Sequence, residues 1–208
     1  MRAKIRTLLD ELGTTYAEQA GIRLKDTPAP LYQLLVLTVL LSHRIQGDIA
    51  VAACRELNQA GTRTPQRMRE ATWQQRVDAL GRGHFVRYDE STATALGDGA
   101  QFVLDAYQGD LRRMRREADG DVKQLRGLLQ KVPNIGPTGA HIFCREVQAV
   151  WPELRPYLDR KALQGAERLG LPADAEQLAE HVSAGQLAAL AAALVRVALD
   201  PTLSERVS

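Results

Sequence analysis

The sequence predicts an all-α protein, and three observations carry that prediction. Apolar residues recur at helical spacing in one segment after another, glycine and proline punctuate those segments, and no alternating run reaches strand length. Ile5, Leu8, Leu9 and Leu12 fall at i, i+3, i+4 and i+7, and Gly13 stops that helix. The Pro-rich break Thr27-Pro28-Ala29-Pro30 precedes residues 31–41, apolar on all sides as a helix buried in a bundle must be. A helix over 47–58 follows, and Thr64-Pro65 is an N-cap and first-turn signal for another to about Ala71. Residues 73–80 continue the pattern and end at Gly81. Residues 81–88 form a loop, with Asp89 capping a helix that runs toward Tyr107. Short helices over 111–118 and 122–131 are split by Asp119-Gly120-Asp121. After Pro133-Asn134-Ile135-Gly136 a helix runs to about Val147. Past a connection over 151–158, one helix opens at Asp159, one covers 176–182, and a last, over 186–199, stops at Asp200-Pro201.

At 208 residues the chain makes one domain or two small ones, with a core large enough to sustain itself. With 45% hydrophobic and 25% charged residues and a net charge of +2, disorder is excluded. No apolar run reaches the roughly 18 residues of a membrane span, and the first residues hold no signal-peptide core, so a cytoplasmic address is expected. Two cysteines, Cys54 and Cys144, make neither a disulfide scaffold nor a four-cysteine metal site. Lysines are few and arginine supplies most positive charge, which suits phosphate recognition and equally follows from base composition. No Walker loop, GxGxxG, HExxH or GxSxG occurs, and His43, His84, His141 and His181 show no metal-ligand spacing. The Arg112-Arg113-x-Arg115-Arg116 cluster reads as a solvated helix face.

The informative stretch is 125–169. Residues 128–140 read as helix, tight hairpin, helix: Asn134 tolerates a left-handed backbone, Ile135 plugs the turn, Gly136 asks for no side-chain room, and Pro137 opens the second helix. A turn that opens a helix offers N–H groups and a positive dipole end to a phosphate. An ordinary αα-hairpin needs no ligand at all.

Leu-x-x-Val-Pro-Asn-Ile-Gly-Pro-Thr-Gly-Ala, over 129–140 with its preceding leucine, resembles the hairpin of the helix-hairpin-helix DNA glycosylase superfamily, the endonuclease III-like branch in particular. Tyr157-Leu158-Asp159-Arg160-Lys161, about twenty residues on, resembles the segment with that family's catalytic aspartate, so Asp159 matches it. Leu40-Leu41-Ser42-His43-Arg44 resembles the family's Leu-Leu-Ser segment, and Arg44 matches the side chain that fills the gap left by a flipped base. The resemblance implies a two-lobed fold, with a six-helix lobe over 29–147 and a second lobe from 1–28 and 148–208. It places a DNA cleft between the lobes, with the hairpin on one wall and Asp159 at the floor. Double-stranded DNA is the expected partner, the protein is expected to be a monomer, and no metal or other cofactor is expected.

Three departures qualify it. Thr138 stands where relatives with lyase activity carry the lysine whose amine attacks the sugar, and threonine cannot do that. No cysteine follows the last helix, so the iron–sulfur cluster of many relatives is not expected. Asn134 stands where glycine is usual.

A glycosylase flips a nucleotide out of the stack and stabilises positive charge on the sugar as the base leaves. A fixed carboxylate supplies that stabilisation. Asp159 suits the task, and it equally suits a plain N-cap. DNA contacts are expected from Arg44, Asn134, Ile135, Gly136, Thr138 and Gly139. A base pocket or insertion loop is expected among His84, Phe85, Arg87, His141 and Lys161, with Phe85 also readable as core. The expected function is base excision without lysine-dependent strand cleavage. A non-catalytic module that binds DNA structure is the rival, and a lyase using Lys161 is a second one.

Overall fold

The computed structural model describes residues 1–207. Among these every regular element is an α-helix or a short 3-10 turn. In chain order the first helices are α1 (Arg2–Leu12), α2 (Tyr16–Gln19), α3 (Pro28–Leu41), α4 (Gly47–Gln59), α5 (Pro65–Glu70), α6 (Trp73–Arg82) and α7 (Asp89–Tyr107). They are followed by α8 (Arg112–Ala118), α9 (Val122–Leu129), α10 (Pro137–Val147), α11 (Arg160–Arg168), α12 (Ala175–Ala179) and α13 (Leu187–Leu199). Among the described residues no helix is long and apolar enough to cross a membrane.

The chain divides into two compact units, residues 19–143 and residues 1–18 with 144–208. In the first, α3 is the buried centre: Leu31, Leu34, Leu37 and Leu40 are fully covered. The prolines do not precede this helix but start it, with Thr27 extended before it and Pro28 at the first position. Proline fits there because its fixed φ is already helical and the missing N–H would have no partner. Thr64 caps α5 by accepting the Arg67 N–H at 3.2 Å. Thr72 and Gln75 cap α6 reciprocally, at 3.1 and 2.8 Å. That helix continues through Gly81 and stops at Gly83, which packs against the α4 backbone at Ala53. Asp89 is the first residue of α7 rather than its cap, and Tyr88 stands before it.

Arg76, buried under α7, ties three helices together. Its guanidinium donates to the carbonyls of Ala93 at 2.8 Å, Met68 at 3.0 Å and Ala71 at 2.8 Å. Asp119, in the left-handed region, and Gly120 turn the chain between α8 and α9. Asp121 caps α9 through the N–H groups of Lys123 and Gln124. The unit thus holds α3 to α9 whole and the start of α10, more helices than the six that the resemblance implies.

In the second unit α13 is the centre, with α1 and α11 packed on it. Ile5, Leu8, Ala162, Ala166, Leu190 and Leu194 form the core. Glu146 explains why residues 1–18 belong here. Its buried carboxylate accepts the N–H groups of Tyr16 at 3.2 Å and Ala17 at 2.9 Å. Arg196 lies 4.6 Å over the Tyr16 ring and donates to the Leu12 carbonyl. These contacts tie residues 12–17 to residues 146 and 196 within this unit.

Candidate functional site

The hairpin joins α9 to α10. Ile135 is buried, its N–H donating to the Val132 carbonyl at 3.0 Å. Asn134 takes the left-handed conformation at φ 62° that few side chains other than glycine tolerate. Gly136, Pro137 and Thr138 are exposed. A Cβ on Gly136 would meet nothing within 4 Å, so this glycine answers no need of its own fold. The room it leaves faces outward. Gly139 is the opposite case: a Cβ there would stand 2.7 Å from Ser42 Oγ and 3.2 Å from Ile135 Cγ2. Ser42 in turn donates to the Thr38 carbonyl at 2.6 Å. The Leu-Leu-Ser segment and the hairpin are therefore packed directly on each other.

His141 is half-buried on the first turns of α10. Its Nε2 accepts from the Arg126 guanidinium at 3.2 Å, which braces α9 against α10 and makes Nδ1 the protonated ring nitrogen.

Beyond Ser42 the chain presents Arg44, which is exposed. His43, beside it, stacks on Tyr88 with ring centroids 4.9 Å apart and 28° between planes. It meets Phe85 edge-on at 5.5 Å, and its Nε2 lies 3.2 Å from Thr92 Oγ1. Burial pushes the His43 pKa down from its ordinary value. Arg87 lies over the other aromatic of the loop, 5.3 Å from the Tyr88 centroid. Phe85 is fully covered and is a core residue, not a surface for a base. His84 is exposed in the left-handed region at φ 63°. Sequence reasoning missed the pairing of His43 with Tyr88. The signal available was an aromatic side chain between Ser42 and Arg44 and another in the 83–88 loop.

Asp159 belongs to the other unit. It is the N-cap of α11, its Oδ1 accepting the Ala162 N–H at 3.2 Å. Its Oδ2 is held 2.6 Å from an Arg145 guanidinium nitrogen, and the two side chains are only 7% and 10% exposed. Gln148, fully buried on the next turn from Arg145, accepts the Tyr157 N–H and donates to the Tyr157 carbonyl, each at 2.9 Å. Arg145, Glu146 and Gln148 had no sequence signature, because charged and amide side chains in a run of 140–150 read as the outer face of a helix. Burial pushes the Glu146 carboxyl pKa up, against the hydrogen bonds from Ala17 and Tyr16 that favour its charge. Lys161, two residues beyond Asp159, donates to Gln164 Oε1 at 3.1 Å.

No family model and no curated protein matches the sequence. Solved structures do match. A trapped endonuclease III–DNA covalent intermediate, an estranged-adenine complex, aligns at a TM-score of 0.51 and 17% identity over 95% of this chain and 85% of that chain. A non-covalent endonuclease III–DNA complex aligns at a TM-score of 0.52 and 16% identity over the same shares. The chain has the endonuclease III fold.

The residues present do not fit a four-cysteine iron–sulfur cluster. The sequence holds two cysteines where such a cluster takes four, and both Cys54 and Cys144 are buried, with burial pushing the Cys54 thiol up to about 12. Among the described residues no three His, Cys, Asp or Glu side chains gather in a metal-holding group.

Proposed function

We propose that the protein is a DNA glycosylase that hydrolyses the N-glycosidic bond of a damaged or mismatched base in duplex DNA. The observation that carries this reading is the hairpin, whose turn is anchored inward and open outward. Ile135 and Gly139 are locked into the unit, while Gly136 and Thr138 stay exposed at the start of an eleven-residue helix. The first N–H groups of a helix lack intrahelical acceptors and sit at the positive end of its dipole, which suits a DNA phosphate. The likeness of fold to proteins solved as DNA complexes supports the same partner.

In the reaction the base leaves with the electron pair of the C1′–N bond, water adds at C1′ in its place, and the proton that the water gives up ends on the departed base. The Asp159 carboxylate stabilises the positive charge that develops on the sugar between those events. Thr138 offers a hydroxyl and no amine, so no Schiff base forms and the strand stays intact. Duplexes each carrying a single lesion or mismatch, treated with hot alkali after incubation, test the proposal. An abasic site at one lesion class, with no complex trapped by borohydride, is the expected result. A trapped complex lost in Lys161→Ala would assign the lyase reading to that lysine.

A second reading has its own observation. Both oxygens of Asp159 already have protein partners, as a purely structural cap would. On that reading the protein binds DNA structure without cutting, and a parent that binds duplex tightly yet excises from no substrate of the panel decides for it.

A further inference from the structure

We infer that Arg145 is a positioning residue that offsets the charge of Asp159 and so sets how strongly the protein prefers a cationic sugar. The inference rests on the reading that Asp159 acts on the sugar. Its ground is the pair itself: opposite charges 2.6 Å apart, on side chains 10% and 7% exposed, in a place where water screens little. A lone carboxylate presents a full negative charge to whatever stands nearby. A carboxylate in contact with a guanidinium presents a dipole, whose field fades faster with distance.

The backbone on both sides of the pair is fastened. Gln148, fully covered, donates from Nε2 to the Arg145 carbonyl at 2.9 Å and holds Tyr157 by both backbone groups. The segment carrying Asp159 is thereby fastened to the turn of α10 that carries Arg145. The α11 N–H of Ala162 fixes the other carboxylate oxygen. The arrangement restrains the charge a cationic sugar needs, and it removes most of the repulsion a bare carboxylate would exert on DNA phosphates.

The test needs no knowledge of the lesion. Two duplexes differ at one position: one carries a pyrrolidine abasic analogue, protonated at neutral pH, and the other a neutral tetrahydrofuran analogue. The ratio of their dissociation constants, measured by anisotropy at fixed salt and pH, reads the local field. Relative to the parent, Arg145→Gln is expected to raise the preference for the cation about tenfold, a usual coupling between touching charges. Asp159→Asn lowers it, and Arg145→Lys stays near the parent. The Asp159→Asn, Arg145→Gln double variant, in which both charges are gone, returns to about the parental ratio.

A merely structural Arg145 weakens both duplexes together and leaves the ratio alone, which overturns the inference. Where Arg145→Gln does not fold, the step from Asp159→Asn to the double variant measures the same quantity, and no rise there also overturns it. If Arg145 variants leave the ratio unchanged while Asp159→Asn lowers it, the inference fails and the glycosylase reading stands. If Asp159→Asn itself leaves the ratio unchanged, Asp159 does not act on the sugar and both fail.

Discussion

Gly139 and Ser42 touch so closely that a single methyl group on the glycine would stand 2.7 Å from the serine hydroxyl oxygen. Ninety-odd residues apart in the chain, they seat the hairpin on the end of α3. Gly139→Ala is therefore expected to cost about 1–3 kcal/mol, the usual penalty of overpacking. Ser42 would have to rotate away from the Thr38 carbonyl it now donates to. Adding Ser42→Ala removes the obstructing oxygen and should restore most of the loss. Urea midpoints of the two single variants and the pair check this, and simple additivity would show that the contact is not the cause.

Gly136 predicts the reverse pattern. Its Cβ position is open, so Gly136→Val should leave the melt within about 0.5 kcal/mol of the parent, as a surface change does. Affinity should fall for every duplex alike, because phosphate contacts carry no sequence information. Titrations of two unrelated duplexes at matched salt read it. Undiminished binding would remove the hairpin as the anchor.

The contrast between these two glycines marks how far the sequence was legible. Both stood out as hairpin glycines, and the helical class followed from the spacing of Ile5, Leu8 and Leu12 and the wholly apolar α3. Asp159 could be picked out, and so could its place at the start of a helix. What the sequence did not disclose were contacts between residues far apart in the chain. Gly139 against Ser42, His43 on Tyr88 and Arg145 on Asp159 are each set by how helices pack, and no local pattern encodes them. His141 and Phe85 were each open to two readings, pocket or interior, for the same reason: periodicity places a residue on a face of its helix or loop without saying what covers that face.

His43 makes stability depend on pH in a stated direction. Burial lowers its folded pKa from 6.5, so the folded state prefers the neutral ring. Its contribution is present above pH 6.5 and is lost as pH falls through the lower folded value. Replacing His43 by Phe keeps a ring against Tyr88 and Phe85 and removes the titration. Urea midpoints from pH 8 to pH 5 should fall more steeply for the parent than for His43→Phe. Parallel curves would mean that the stacked imidazole titrates as it does in the unfolded chain.

Asp159→Asn separates catalysis from capping. Asparagine caps helices about as well as aspartate, so the bond to the Ala162 N–H survives, and the amide oxygen still accepts from Arg145. What disappears is the negative charge opposite a buried guanidinium. Breaking such a pair from one side costs up to about 3–5 kcal/mol, and the retained hydrogen bond moderates it, so a lower but cooperative melt is expected. Excision of whichever lesion the panel identifies should fall at least about a hundredfold in single-turnover assays, the scale of one preorganised electrostatic group. Duplex affinity should persist, because the hairpin contributes it from the other unit. The stability loss does not imitate this result: a folded variant assayed well below its melting temperature binds DNA as before, and only the chemical step slows. A variant that folds, binds and excises like the parent would leave Asp159 a cap and its pair with Arg145 a structural contact.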